Sequence, residues 1–412
     1  MARMNRAVDS AASKLNIAVI GGGPAGLRAA EVAAASGAQV TLFEAKRSVG
    51  RKFLVAGRSG LNLTNAEPFV TFLGKYGGDS LPKDLWRAML GAFDNAAIRA
   101  WAADLGVETF AASSGKVLPV PVDGRMKATP LLRNWLARLQ QLGVVVQTGH
   151  RWSGFDESGD LLFESEEGSS AFSCDAAILA LGGGSWPKSG SDGTWVSVLA
   201  ERGVHVSPLL ASNCGWEADW PSELLELAEG LPLKNLRVSA GSENRRGELV
   251  VTRYGLEGGP IYRLGPVLRS MSEPHVLLDF KPDQSHADVV QKLGGVKRNF
   301  VREVGRRLHL DPATLALLGK LQGRGPWKST EQIASEIKQC RIDLTKPRPM
   351  DEAISSAGGV DWSEIDANLM LKRLPGVYVA GEMIDWDAPT GGYLLQACFA
   401  TGTHAARAAV GG

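Results

Sequence analysis

Gly21-Gly22-Gly23-Pro24-Ala25-Gly26 has the spacing G-x-G-x-x-G, and Glu44 closes the unit that it opens. The short apolar run Leu15 to Ile20 predicts a buried strand entering the turn. Gly21 permits the tight turn, Gly23 lets a diphosphate approach bare backbone, and Gly26 lets the next helix pack close on the strand. That helix starts with unpaired N–H groups aimed at the diphosphate. Ala30, Gly37 and Val40 keep the register of a β-α-β unit, and Gln39 to Phe43 is its second strand. Glu44, at the strand's end, can accept both ribose hydroxyls. The full register, rather than the glycines alone, predicts a bound adenine dinucleotide.

At 412 residues the chain exceeds one ordinary core, so two domains are expected. The net charge of +1 argues against bulk attraction to nucleic acid or to an anionic membrane. Cys174, Cys214, Cys340 and Cys398 are far apart and form no C-x-x-C, which excludes a local dithiol centre and a zinc ribbon. Such sparse cysteines fit a reducing cytoplasm. No apolar run reaches the ~18 residues of a membrane span. Met1 to Ser13 is polar, lacks an apolar core, and reads as a floppy lead-in.

Along the chain, Leu85 to Leu105 has helical spacing and carries Trp86, Phe93 and Trp101 as core residues. Pro130 to Leu142 reads as a second amphipathic helix, and Val144 to Gln147 as a strand. Leu161 to Phe172 has the loose alternation of a hairpin, and Ala176 to Leu181 is a buried strand ending in Gly182-Gly183-Gly184. Short apolar runs between residues 204 and 280, separated by Gly, Pro and Asn, predict antiparallel strands. Residues 285 to 341 look helical, with breaks at Pro312 and at Gly323-Arg324-Gly325-Pro326. From about Ala353 the α/β character returns.

Glu44 disfavours a 2′-phosphate and hence NADP at this site. The glycine-basic turn Arg47 to Lys52 suits the second half of a longer cofactor. Val377 to Glu382 is a strand ending in Gly-Glu, as in flavoenzymes of the glutathione-reductase superfamily. Gly391-Gly392-Tyr393 then opens a last helix, Leu394 to Ala409, whose positive end can stabilise charge on a reduced ring. An NAD dehydrogenase has no use for this second terminus, so FAD is the expected cofactor. Only one complete dinucleotide unit is present. NAD(P)H is therefore expected, if at all, as a transient electron donor visiting the flavin.

With these segments in view, the chain resembles the BaiN-like bacterial flavoproteins, NAD(P)/FAD-dependent or aminoacetone-oxidase-family oxidoreductases. The matching segments are Gly21 to Glu44, Gly50-Arg51-Lys52, Asn62-Leu63-Thr64-Asn65, Ala180 to Gly190, Thr252 to Leu256, Gly358-Gly359-Val360 and Gly381 to Ala397. Asn-Leu-Thr-Asn and Pro-Thr-Gly-Gly-Tyr are the specific elements. The chain departs from the family at Gly60-Leu61, where Arg-Cys is usual, and at Leu394, where Asn commonly follows the tyrosine. The resemblance implies an α/β fold: a Rossmann-like FAD-binding domain of glutathione-reductase type with an inserted β-rich domain and a small helical subdomain. We place the FAD-binding domain at 14–190 and 346–412, the inserted β-rich domain at 191–284 and the helical subdomain at 285–345.

Spacing and resemblance together assign the site. Gly21, Gly22, Gly23, Pro24, Ala25 and Gly26 hold the diphosphate, and Glu44 with Ala45 the adenosine ribose. Gly50, Arg51 and Lys52 neutralise phosphate or approach the ring. Thr64 and Asn65 either hydrogen-bond the flavin edge or form a structural turn. Trp152, Ala180, Leu181, Gly182 and Gly183 face the adenosine half, and Gly381, Glu382, Gly391, Gly392, Tyr393 and Leu394 the ribityl chain and ring. Arg253 and Tyr254 are the catalytic candidates, a cation plus a phenol suited to an anionic or carbonyl substrate. The histidines have no metal-ligand spacing.

The expected function is that of an FAD-dependent oxidoreductase moving hydride between flavin and a small organic substrate. One alternative is a flavin-dependent tRNA-modifying enzyme, suggested by Lys297, Arg298, Arg302, Arg306 and Arg307 with Arg245-Arg246. Glu303 interrupts that stretch, and no nucleic-acid or membrane partner is expected. The other alternative is a non-enzymatic flavin-bound redox sensor. Oligomeric state is not legible.

Overall fold

A computed structural model describes residues 14–57, 60–78, 80–121, 126–296, 300–321 and 329–411. The lead-in before Lys14, the basic residues Lys297 and Arg298, and the break at Gly323 to Pro326 lie outside these. The chain divides into two compact units. One holds the residues through Leu209 together with those from Ala357, and the other is Leu210–Ser356.

The first unit is built on a five-stranded sheet with every pairing parallel. Its order is Val377–Val379, Ala176–Leu179, β1 (Asn16–Ile20), β2 (Gln39–Glu44) and Val145–Thr148. β1 is buried along almost its whole length, as a strand covered on both faces must be. Helix α1 (Pro24–Ala35) starts with proline, whose missing N–H is one that a helix start leaves unpaired anyway. Its buried residues are mostly alanine, so a second helix can come close. That partner is the last helix, Tyr393–Ala409. At their crossing, a Cβ on Gly402 would sit 2.4 Å from the Ala25 carbonyl oxygen. The meander Arg151–Phe155, Leu161–Ser165 and Gly168–Phe172 packs beside β2, with Phe43 stacked on Phe163 at 4.0 Å.

The helical spacing over Leu85 to Leu105 resolves into two helices, Lys83–Ala92 and Asn95–Asp104. Phe93 leaves the helical region, and the Asp94 carboxylate accepts from the Ala96 and Ala97 amides to start the second helix. Trp86, Phe93 and Trp101 are buried in the core as read.

The second unit carries a six-stranded antiparallel sheet. Its order is Trp216–Glu217, Gly255–Glu257, Glu243–Thr252, Pro232–Ala240, His275–Asp279 and Cys340–Asp343. The stretch 204–280, whose apolar runs predicted strands, also holds the helices Ser222–Ala228 and Gly259–Ser270. Gly259–Ser270 is a helix despite its glycines and prolines, because Ile261, Leu264 and Leu268 share one buried stripe. Cys340 and Arg341, expected to be helical, belong to the sheet's edge strand, Cys340–Asp343. Helices His286–Leu293, Phe300–Leu308, Pro312–Lys320 and Thr330–Lys338 complete the unit.

Candidate functional site

The glycine turn shapes a cleft in the first unit. Gly21 takes φ 107°, and a Cβ there would meet the Ala180 carbonyl oxygen at 2.3 Å. Gly26 is more constrained, since a Cβ would lie 1.9 Å from the Gly21 oxygen. Gly23, the residue capping α1, faces open space, with nothing within 4 Å of its Cβ position. The turn therefore presents bare backbone and a helix N-terminus to a cleft of roughly 760 Å3, counting its open mouth. Gly21, Gly22, Gly23, Pro24, Ala25, Glu44, Ala45, Arg51, Lys52, Trp152, Ala180, Leu181, Gly182 and Glu382 all line it.

Glu44 is held from two sides. One carboxylate oxygen accepts from the Gly22 amide at 2.8 Å and the other from the Lys46 amide at 2.8 Å. A carboxylate offers about four lone-pair sites, so acceptor capacity remains for ribose hydroxyls. Burial pushes its pKa up, and the two backbone N–H groups partly offset this. Lys52, on helix α2 (Arg51–Ala56), donates to the Ser185 hydroxyl at 2.7 Å and to Glu382 at 2.9 Å. One ammonium thus ties together the basic turn, the Gly-Gly-Gly-Ser loop and the Gly-Glu turn.

A second cluster joins the two family-specific motifs. Gly392 (φ 96°) sits so close to Thr64 that a Cβ would be 2.5 Å from the Thr64 carbonyl carbon. The Asn65 amide reaches the Gly391 oxygen at 3.5 Å, and the Tyr393 hydroxyl hydrogen-bonds to Glu67. Tyr76 donates to the Tyr393 carbonyl at 2.8 Å, and burial raises its phenol pKa well above the ordinary value. A Gly392→Ala variant is expected to lose about 2–4 kcal/mol from overpacking and positive φ. Thermal unfolding with and without added FAD checks this.

The remaining assigned residues sit as follows. Gly26 is inside the turn, and Gly50 (φ 68°) starts α2 against Leu132. The Gly183 carbonyl accepts from Ser191 at 3.1 Å, and the Gly381 amide donates to Thr401 at 2.9 Å. Leu394 follows Tyr393 in the first turn of the last helix. Arg253 and Tyr254 belong to the second unit, where Tyr254 donates to Glu257 and the Arg348 guanidinium lies 4.1 Å over its ring. Burial first, then Glu257, raise the Tyr254 pKa, so the phenol keeps its proton.

Sequence reasoning missed Ser189, Gly190, Ser191 and Cys398 as cleft residues. The run Ser-Gly-Ser-Asp-Gly after the triple glycine was a usable signal for the first three. Cys398 carries none, and burial pushes its thiol up to about 12, so it is a neutral wall rather than a nucleophile.

The residues present fit FAD. Among the described residues, the buried Trp152 indole N–H and the Thr64 hydroxyl, the latter on a residue 0% exposed, have no partner. Buried polar groups are rarely left so. Of the two, the Trp152 indole lines the cleft, where an adenine dinucleotide carrying a flavin would offer it acceptors.

Comparison with known proteins gives a family match. The profile described as "HI0933-like protein Rossmann domain" matches residues 15–408. A 3-dehydro-bile acid delta(4,6)-reductase from Clostridium scindens is 28% identical, over 95% of this chain and 98% of that protein. A ribosomal RNA dihydrouridine synthase from Escherichia coli is 23% identical, over 92% of this chain and 94% of that one. Among solved structures, a 3-ketosteroid-delta4-(5alpha)-dehydrogenase from Rhodococcus jostii RHA1 superposes with TM-score 0.53 at 14% identity. The match covers 98% of each chain and shows a shared fold. No helix among the described residues is long and apolar enough to cross a membrane.

Proposed function

The chain belongs to the HI0933-like Rossmann-domain family and is an FAD-dependent oxidoreductase, and on that premise we propose that it saturates a carbon–carbon double bond conjugated to a carbonyl in a small organic substrate. The names of the two curated relatives describe that one chemistry on different molecules. A 3-oxo group beside 4,6 double bonds is a conjugated enone, and forming dihydrouridine saturates a bond conjugated to the uracil carbonyl. The observation that carries the reading is the cleft with its open face at Gly23 and the Trp152 indole in its wall, without a partner among the described residues.

Bound FAD supplies hydride, and the second hydrogen arrives as a proton. Gly21 to Gly23 and the start of α1 bind the diphosphate, and Glu44 fixes the ribose. Lys52 holds Glu382 and Ser185 in place across the cleft. We assign substrate handling to Arg253 and Tyr254. The guanidinium and the neutral phenol suit anchoring a carbonyl or carboxylate substrate. NADH or NADPH is the proposed electron source, visiting transiently.

A second reading takes RNA as substrate, as the Escherichia coli relative's name suggests. The basic residues do not favour it. Arg306 and Arg307 both pair with Glu303, Arg245 pairs with Glu243, and Arg246 with Asp283. Stopped-flow mixing decides between them. The protein is reduced anaerobically by NADH or NADPH, then mixed with a steroid 4-en-3-one or with ribosomal RNA. Rapid return of the oxidised flavin spectrum with the enone alone is expected. Reoxidation by the RNA alone would reverse the assignment.

A further inference from the structure

The second unit has a cavity of its own, of about 880 Å3 with its mouth, on the polar face of the antiparallel sheet. Arg237 and Asp279 are cross-strand neighbours there, with Ser239 two residues along. His286, Ser335 and Lys338 from two helices close the other side. The charges on this face pair off with one exception. Lys338 pairs with Asp279 at 2.8 Å, Arg246 with Asp283 at 2.7 Å, and Arg341 with Asp343 at 2.7 Å. The half-buried Arg237 has no acceptor among the described residues. A guanidinium carries five donors in a fixed fork and is matched by a planar or tetrahedral oxyanion.

Ser239 adds a hydroxyl to this wall, while Ser335 and His286 are bonded to each other. Ser335 donates to the Glu331 carbonyl at 3.0 Å, so the His286 Nε2 at 3.1 Å from that hydroxyl is the donor of their bond. Asp279 does not repel an anion strongly, because Lys338 and the Lys281 amide (3.0 Å) already neutralise it. The cavity thus offers an unpaired cation and the Ser239 hydroxyl.

We infer that this cavity is an anion site, taking a phosphate or phosphomonoester through bidentate contact with Arg237. It is separate from the FAD cleft, and none of its lining residues is shared with it. The test uses FAD-loaded protein, so that the diphosphate-binding turn is filled. Inorganic phosphate and glycerol 3-phosphate are titrated separately by calorimetry, and the two arms distinguish free phosphate from a phosphorylated metabolite. One saturable site is expected with at least one of them. R237Q should weaken it about tenfold or more, and R237K less, since the charge stays and the fork is lost. An unchanged flavin spectrum and melting transition show that the variant is folded. If R237Q misfolds, S239A carries the test with an expected loss of about threefold. No saturable binding of either probe, or affinity unchanged in the folded variant, overturns the proposal.

Discussion

Gly23→Val is expected to yield a folded, colourless protein. Gly23 has φ −81°, ordinary for any residue, and its Cβ position meets nothing within 4 Å. The native chain therefore accepts the side chain, and what the valine fills is the space left for the diphosphate. Losing two charge-assisted hydrogen bonds to phosphate costs about 3–6 kcal/mol, which is about 100-fold or more in FAD affinity. Circular dichroism and melting should match the apoprotein of the parent, while the flavin absorbance disappears. Gly26→Val is the contrasting case. Its Cβ falls 1.9 Å from a backbone oxygen that cannot rotate away, so that variant should not fold. Full FAD occupancy in Gly23→Val would refute the diphosphate assignment.

Glu31→Ala should be the most damaging single change outside the cleft. Glu31 lies on α1, 5% exposed, and accepts from the indole N–H groups of Trp101 and Trp135, each at 3.0 Å. Arg28 at 3.0 Å and Arg138 at 3.3 Å complete its shell. Removing the carboxylate leaves two indoles and two guanidinium groups facing an uncompensated void. Breaking a buried pair in this way costs about 3–5 kcal/mol. The thermal midpoint should fall by roughly 10 °C. Glu31→Gln keeps an acceptor and should lose less. The flavin spectrum below the transition should not change, because Glu31 does not line the cleft.

These two residues show what was legible in the sequence. The glycine turn could be read because each glycine answers a purely local demand, and the strand, helix and Glu44 follow within one β-α-β unit. Glu31 could not be read that way. Its indole partners stand 70 and 104 residues away, and nothing at position 31 marks the helix face that meets them. The same distance hid the meeting of Asn65 with Gly391, 326 residues apart, though both motifs were recognised separately. Cys340 and Arg341 read as the end of the helical stretch because a four-residue strand directly after a helix gives alternation too short to measure. Its identity as a strand is set by pairing with His275–Asp279. Gly259–Ser270 lies between the apolar runs that read as strands, and its buried stripe of Ile261, Leu264 and Leu268 was not read from the sequence.

The crossing of α1 with the last helix has a bearing on biosynthesis. Gly402 lets Tyr393–Ala409 rest directly on the helix whose first turn receives the diphosphate, and Val377–Val379 forms the sheet edge beside Ala176–Leu179. A nascent polypeptide paused before Val377 has made the nucleotide turn but not its buttress. The complete flavin site is therefore expected to form only once translation has passed Ala409, and the nascent chain before that point lacks the ligand that would stabilise it.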